Sequence, residues 1–239
     1  MNGMTELVFI LDRSGSMFGL ESDTIGGFNA MLEKQKKAGG TVLLSTILFN
    51  QESVVLHDRV NVLEVPPLTG KDYEVSGCTA LFDAVGGAVQ HVRNVHRYIR
   101  PEDVPDHVLF VITTDGMENA SHRFSESDVK RMIAEGREKG WEFLFLGANI
   151  DAVATARGFG LSEENAVDFV NDGKGIHTVY ESLAGVCSAF AARGVIDGDW
   201  KRNIQKDHAQ RSRTRDGVAS DPLFYALFRT VYGRFGKRF

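Results

Sequence analysis

The chain has 239 residues, enough for one large domain or one domain with an appendage. Hydrophobic residues make up 43% of it and the formal net charge is −5, which allows a substantial core and gives no general drive toward nucleic acid. Its two cysteines, Cys78 and Cys187, lie far apart without metal-ligand spacing, which excludes a small disulfide scaffold and reads as reduced, structural thiols.

The charge is uneven. Residues 195–239 hold 10 Lys and Arg against 5 Asp and Glu, so a basic tail follows an acidic body. The first apolar run reaches Asp12 too soon for a signal peptide or a membrane span. The expectation is a cytoplasmic protein that does not bind membranes through this run.

Apolar strands and amphipathic helices alternate. Residues 6–12 read as a buried strand and 23–38 as a helix, with Ile25, Phe28, Met31 and Leu32 at helical spacing and Gly39-Gly40 as the stop. Residues 41–49 are rich in β-branched side chains and predict a strand, with Ser53 to His57 as its antiparallel partner. Leu81, Val85, Ala88, Val89 and Val92 form a helical stripe, and 107–114 is a strand. Ser125 and Asp128 resemble a capping box ahead of Val129, Met132 and Ile133. A strand over 141–147, a helix from Asp151 to Phe159, a short strand from Ala166 to Val170 and a helix over about 179–192 follow.

This alternation predicts an α/β fold, a doubly wound and mostly parallel sheet with one antiparallel edge strand, over residues 1–194. Residues 195–220 read as a polar, linker-like stretch. Within 221–239, Asp221-Pro222 opens a helical pattern of Leu223, Phe224, Leu227, Phe228 and Val231. Docking on its own domain, association with a partner or with itself, and membrane-surface binding all remain open for that basic, aromatic segment.

The chemistry concentrates at strand ends. Val8 to Leu11 runs directly into Asp12-Arg13-Ser14-Gly15-Ser16, one carboxylate and two hydroxyls in one turn. Thr79 adds a hydroxyl ahead of a helical pattern, and the strand 107–114 ends at Asp115. In open α/β sheets ligands bind at the carboxyl ends of strands, where sequence-distant turns meet. An all-oxygen set of Asp12, Ser14, Ser16, Thr79 and Asp115 suits a hard cation, Mg²⁺ first, with Mn²⁺ or Ca²⁺ as alternatives. Asp83 reads as a helix N-terminal charge, Asn149 or Asp151 as a helix cap, and Glu118 as a solvated loop residue. No zinc spacing, phosphate loop, dinucleotide fingerprint or nucleophile elbow is present.

Asp-x-Ser-x-Ser after a first apolar strand, then Thr79, then Asp115 after a later one, resembles the von Willebrand factor type A domain and its metal-ion-dependent adhesion site. The resemblance covers about residues 5–194 and extends to stand-alone bacterial members, some encoded near tellurium-resistance or stress systems. It implies that Ser14, Ser16 and Thr79 bind the metal directly, that Asp12 and Asp115 act largely through water, and that a protein partner's Asp or Glu completes the shell. It implies no catalytic activity. Two other readings stay open: a Mg²⁺-dependent phosphohydrolase with Asp12 as nucleophile, and a scaffold whose metal only ties loops together.

Overall fold

The computed structural model describes residues 3–219, with side chains described through residue 212. The expected tail segment 221–239 lies outside the described residues. The elements are β1 (Met4–Asp12), a 3₁₀ turn (Gly15–Met17), α1 (Glu21–Ala38), β2 (Thr41–Phe49), β3 (Ser53–Asn61), α2 (Leu81–Tyr98) and β4 (His107–Thr114). Then come α3 (Glu126–Arg137), β5 (Glu142–Ala148), α4 (Ala152–Gly158), β6 (Ala166–Phe169), α5 (Gly173–Arg193) and α6 (Arg202–Ala219).

Six strands form one sheet in the order β3-β2-β1-β4-β5-β6. Only β3 runs antiparallel, at an edge, as its hairpin connection to β2 requires. β1 pairs with β2 on one side and β4 on the other, both parallel. The chain winds outward from β1 in one direction, then crosses back to start again at β4. The carboxyl ends of β1 and β4 therefore flank the point where the winding reverses.

Both faces of the sheet are covered, which is why β1 and β4 are apolar almost throughout. Leu7, Phe9 and Leu11 of β1 face a core built with Phe28 and Met31 of α1 and Leu183, Cys187 and Phe190 of α5. Val8 and Ile10 face the other way, onto Val85 and Val89 of α2 and Val129 and Ile133 of α3. At Gly27 a Cβ would lie 2.4 Å from the Tyr180 ring, so a glycine there lets α1 and α5 close together.

The capping box is present: Ser125 Oγ accepts from Asp128 N at 3.2 Å and the Asp128 carboxylate accepts from Ser125 N at 3.1 Å. Two expectations need correction. α5 begins at Gly173 rather than near residue 179, because Asp172 caps it by accepting from Gly175 N at 2.8 Å. Most of the expected linker is a helix, α6, preceded by the anchoring residues Trp200 and Lys201. Trp200 and Ile204 are buried, and Trp200 Nε1 donates to the Glu164 carbonyl at 3.0 Å. Buried Asp207 is paired with Lys174 at 2.9 Å and with Arg211, which also holds Asp172. The helix lies beside β6, and its ion pairs join it to the start of α5.

Candidate metal centre

β1 delivers Asp12 to the top of the sheet. There its Oδ1 accepts from Ser14 N at 2.7 Å and its Oδ2 accepts from Thr114 Oγ1 at 2.5 Å. The first bond folds the chain into a tight turn directly after the strand, as Asp does by local side-chain bonding. The second ties β1 to the end of β4. The turn is braced from outside. Arg13 N donates to Phe49 O at 2.7 Å, Gly15 N to Gly77 O at 3.0 Å, and the Tyr73 hydroxyl to the Asp12 carbonyl.

That bracing sets the two serines side by side and puts Ser16 on Asp115. Ser14 Oγ lies 3.1 Å from Ser16 Oγ, and Ser16 Oγ donates to Asp115 Oδ1 at 2.5 Å. Asn171 Nδ2 holds the other carboxylate oxygen, Oδ2, at 2.8 Å. Thr79 enters from the loop before α2, fixed by reciprocal bonds with Asn119: Thr79 N to Asn119 Oδ1 at 2.9 Å and Asn119 N to Thr79 O at 3.0 Å. A Cβ at Gly116 would stand 2.9 Å from Thr79 Oγ1 and 3.4 Å from Ser16 Oγ, so only glycine keeps that approach open. The structure thus brings Asp12, Ser14, Ser16, Thr79 and Asp115 together. Asp12, Ser14, Thr79 and Asp115 are buried, and Ser16 opens to solvent.

With this geometry and the sheet order, the fold can be compared with known proteins. No family model and no curated protein matches the chain. Solved structures do. The von Willebrand factor domain of the type V pili tip protein Mfa5 from Porphyromonas gingivalis is 10% identical with a TM-score of 0.58, over 82% of this chain and 99% of that one. A von Willebrand factor type A protein from Catenulispora acidiphila is 11% identical with a TM-score of 0.53, over 78% of this chain. The fold is that of a von Willebrand factor type A domain. The PilB minor pilin from Streptococcus sanguinis shares it at 9% identity and a TM-score of 0.58, over 79% of this chain. The chain spans 62% of that pilin and 43% of the Catenulispora protein.

The electrostatics of this site are unbalanced. Burial pushes the Asp12 carboxyl above the usual aspartate range, against hydrogen bonds from Thr114 and Ser14 that lower it, and the Asp115 charge adds to the rise. Burial raises Asp115 as well, against hydrogen bonds from Ser16 and Asn171. Among the described residues neither carboxylate has a Lys, Arg or His within ion-pair distance. Nor does any group of three or more His, Cys, Asp and Glu gather there for a softer metal. Two buried, uncompensated carboxylates beside three neutral hydroxyls fit a hard divalent cation by donor chemistry and by charge.

The neighbouring residues take other roles. Asp83 accepts from the backbone N–H groups of His122, Arg123 and Phe124 at 2.8–2.9 Å, so it clamps the loop after β4. Glu118 is no solvated loop residue: it accepts from Phe82 N at 2.9 Å, Ala120 N at 2.9 Å and Ser121 N at 2.7 Å, joining that loop to the start of α2. Asp151 caps α4 through Ala154 N at 2.8 Å, while Asn149 sits at φ 55° beside the site. Sequence reasoning missed Asn171, Thr114 and Tyr73 as supports of the two aspartates. Asn171 and Thr114 lie at or just past strand ends, the one signal that could have marked them.

Proposed function

We propose that this domain is a metal-dependent protein-binding module. Ser14, Ser16 and Thr79 would hold Mg²⁺, or Mn²⁺ or Ca²⁺, through their hydroxyls, with Asp12 and Asp115 orienting those hydroxyls and bound water. The bound cation would supply an electrophilic centre that accepts a carboxylate. Because the nearest donors are neutral, much of its charge would stay unquenched, and an Asp or Glu of a protein partner would complete the shell. The observation that carries the reading is Ser16. It is exposed, it lies within hydrogen-bond distance of Ser14 and Asp115, and the carboxylates behind it have no cationic partner among the described residues. The minor pilin and the pili tip protein that share the fold are consistent with it.

Asp12 speaks against a hydrolytic role. A nucleophilic carboxylate needs an oxygen free to reach phosphorus, yet Asp12 is buried with one oxygen held by Ser14 N and the other by Thr114 Oγ1. A purely structural metal would raise stability and recruit nothing. The experiment is a pull-down from lysate with wild type and Ser14→Ala, each in Mg²⁺ and in EDTA. The captured protein's exposed Asp and Glu are then changed to Asn and Gln. Capture by wild type in Mg²⁺ alone, lost with one acidic residue of the partner, is the expected result. Capture that survives both Ser14→Ala and EDTA rejects the reading.

A further inference from the structure

The sheet end that carries the metal-site residues is also where the chain leaves the described side chains. α6 runs along β6 in the strand's own direction. Lys201, just before it, donates to the carbonyls of Glu163 and Ala166 at the strand's start, and Arg211 pairs with Asp172 beyond the strand's end. His208 and Ser212 then line a cleft of about 420 Å³ together with Met117, Ile150 and Asn171, the residue that holds Asp115. The backbone passing Ser212 therefore emerges beside the metal site. α6 continues to Ala219, roughly 10 Å further at 1.5 Å per residue, and residues 221–239 come next.

The face at this end of the sheet exposes two large apolar side chains and several carboxylates. Phe18, two residues past Ser16, is 82% exposed, and Met117, two past Asp115, is 72% exposed. The carboxylates of Asp23, Glu52, Glu74 and Asp151 stand exposed on the loops and first helical turns of the same end. Residues 221–239 carry the complement. Leu223, Phe224, Leu227 and Phe228 recur at helical spacing, and Arg229, Arg234, Lys237 and Arg238 outnumber one acid, Asp221. A short tether also gives such a segment an effective concentration on the order of millimolar, so a weak contact is well populated.

We infer that residues 221–239 dock on the metal-site face of their own domain, with the apolar side chains over Phe18 and Met117 and the basic ones against the surrounding carboxylates. The contact needs no cation, so it stands or falls apart from the metal-dependent binding proposed above.

Hydrogen exchange on the metal-free full chain tests this. Wild type is compared with Leu223→Asp/Phe228→Asp and, separately, with Arg229, Arg234, Lys237 and Arg238 all changed to Glu. Amides at 17–20, 116–119 and 149–151 should exchange about tenfold faster in both variants, while the amides of β1 and β4 stay as protected as in wild type. Equal exchange at those loops in wild type and in both variants overturns the proposal. Loop protection that grows with protein concentration also overturns it, because a second copy's segment would then be the occupant.

Discussion

β1 carries two buried carboxylates that the protein treats in opposite ways. Glu6, near the strand's start, and Asp12, at its end, alternate onto the same face of the sheet. Glu6 is met by basic side chains of the chain itself: His96 Nε2 at 2.7 Å and the Arg59 guanidinium, its Nε at 3.5 Å. Among the described residues, Asp12 and its neighbour Asp115 are met only by hydroxyls and amides. A fold able to bury a carboxylate against basic partners at one end of a strand leaves two without a counter-ion among the described residues at the other. The first arrangement closes on itself and the second is complete only with something from outside.

The comparison breaks most visibly at Glu6. Glu6→Ala leaves Arg59 and His96 facing a buried gap, and removing one partner of a buried ion pair costs about 3–5 kcal/mol. Urea unfolding should show that loss while Mg²⁺ affinity of the folded protein stays unchanged. Ser14→Ala should do the reverse, leaving stability in EDTA near that of wild type while weakening Mg²⁺ affinity by about 100-fold or more, since loss of an outer-shell partner alone costs about 10–100-fold. Calorimetric titration with Mg²⁺ checks it.

Arg211→Ala should cost about 1–3 kcal/mol, because it takes the cation from Asp172 and leaves Asp207 with Lys174 alone where α6 meets α5. Asn171→Ala frees one oxygen of Asp115 and should weaken Mg²⁺ about tenfold, the lower end expected of an outer-shell partner.

The smallest effect is a pH slope. Burial holds Asp12 and Asp115 above the usual aspartate value, so the folded, metal-free protein keeps protons that the unfolded chain releases. The stability tied to those protons is present below the unfolded value, near 3.9, and is lost as pH rises through the elevated folded values. Asp115→Asn should therefore gain stability over wild type across that window in EDTA, measured by urea unfolding at stepped pH. Mg²⁺ should remove the advantage by stabilising wild type alone.

Much of this was legible in the sequence. The strands at 41–49 and 107–114 match the structure because continuous apolar runs between turn residues admit few other readings. The order of Asp12, Ser14, Ser16, Thr79 and Asp115 pointed to strand ends that the sheet does bring together. α6 was hidden because the side it packs on the domain runs at helical spacing through Ile204, Asp207 and the half-buried Arg211, and two of those three are charged. A hydropathy pattern cannot show that Asp207 is buried when its partners, Lys174 and Arg211, must first be folded against it. Asn171, Thr114 and Glu118 escaped for a related reason. Each acts through a bond to a residue at least 36 positions away, and only the folded sheet makes those pairs neighbours.

The most direct test of the unbalanced site is thermal unfolding of the full chain in EDTA and in Mg²⁺, wild type beside Ser14→Ala. A rise in Tm with Mg²⁺ that grows with its concentration in wild type and is absent in Ser14→Ala is the predicted result. Equal Tm values in EDTA and Mg²⁺ for wild type would show that Asp12 and Asp115 are tolerated without a cation, and would contradict the account.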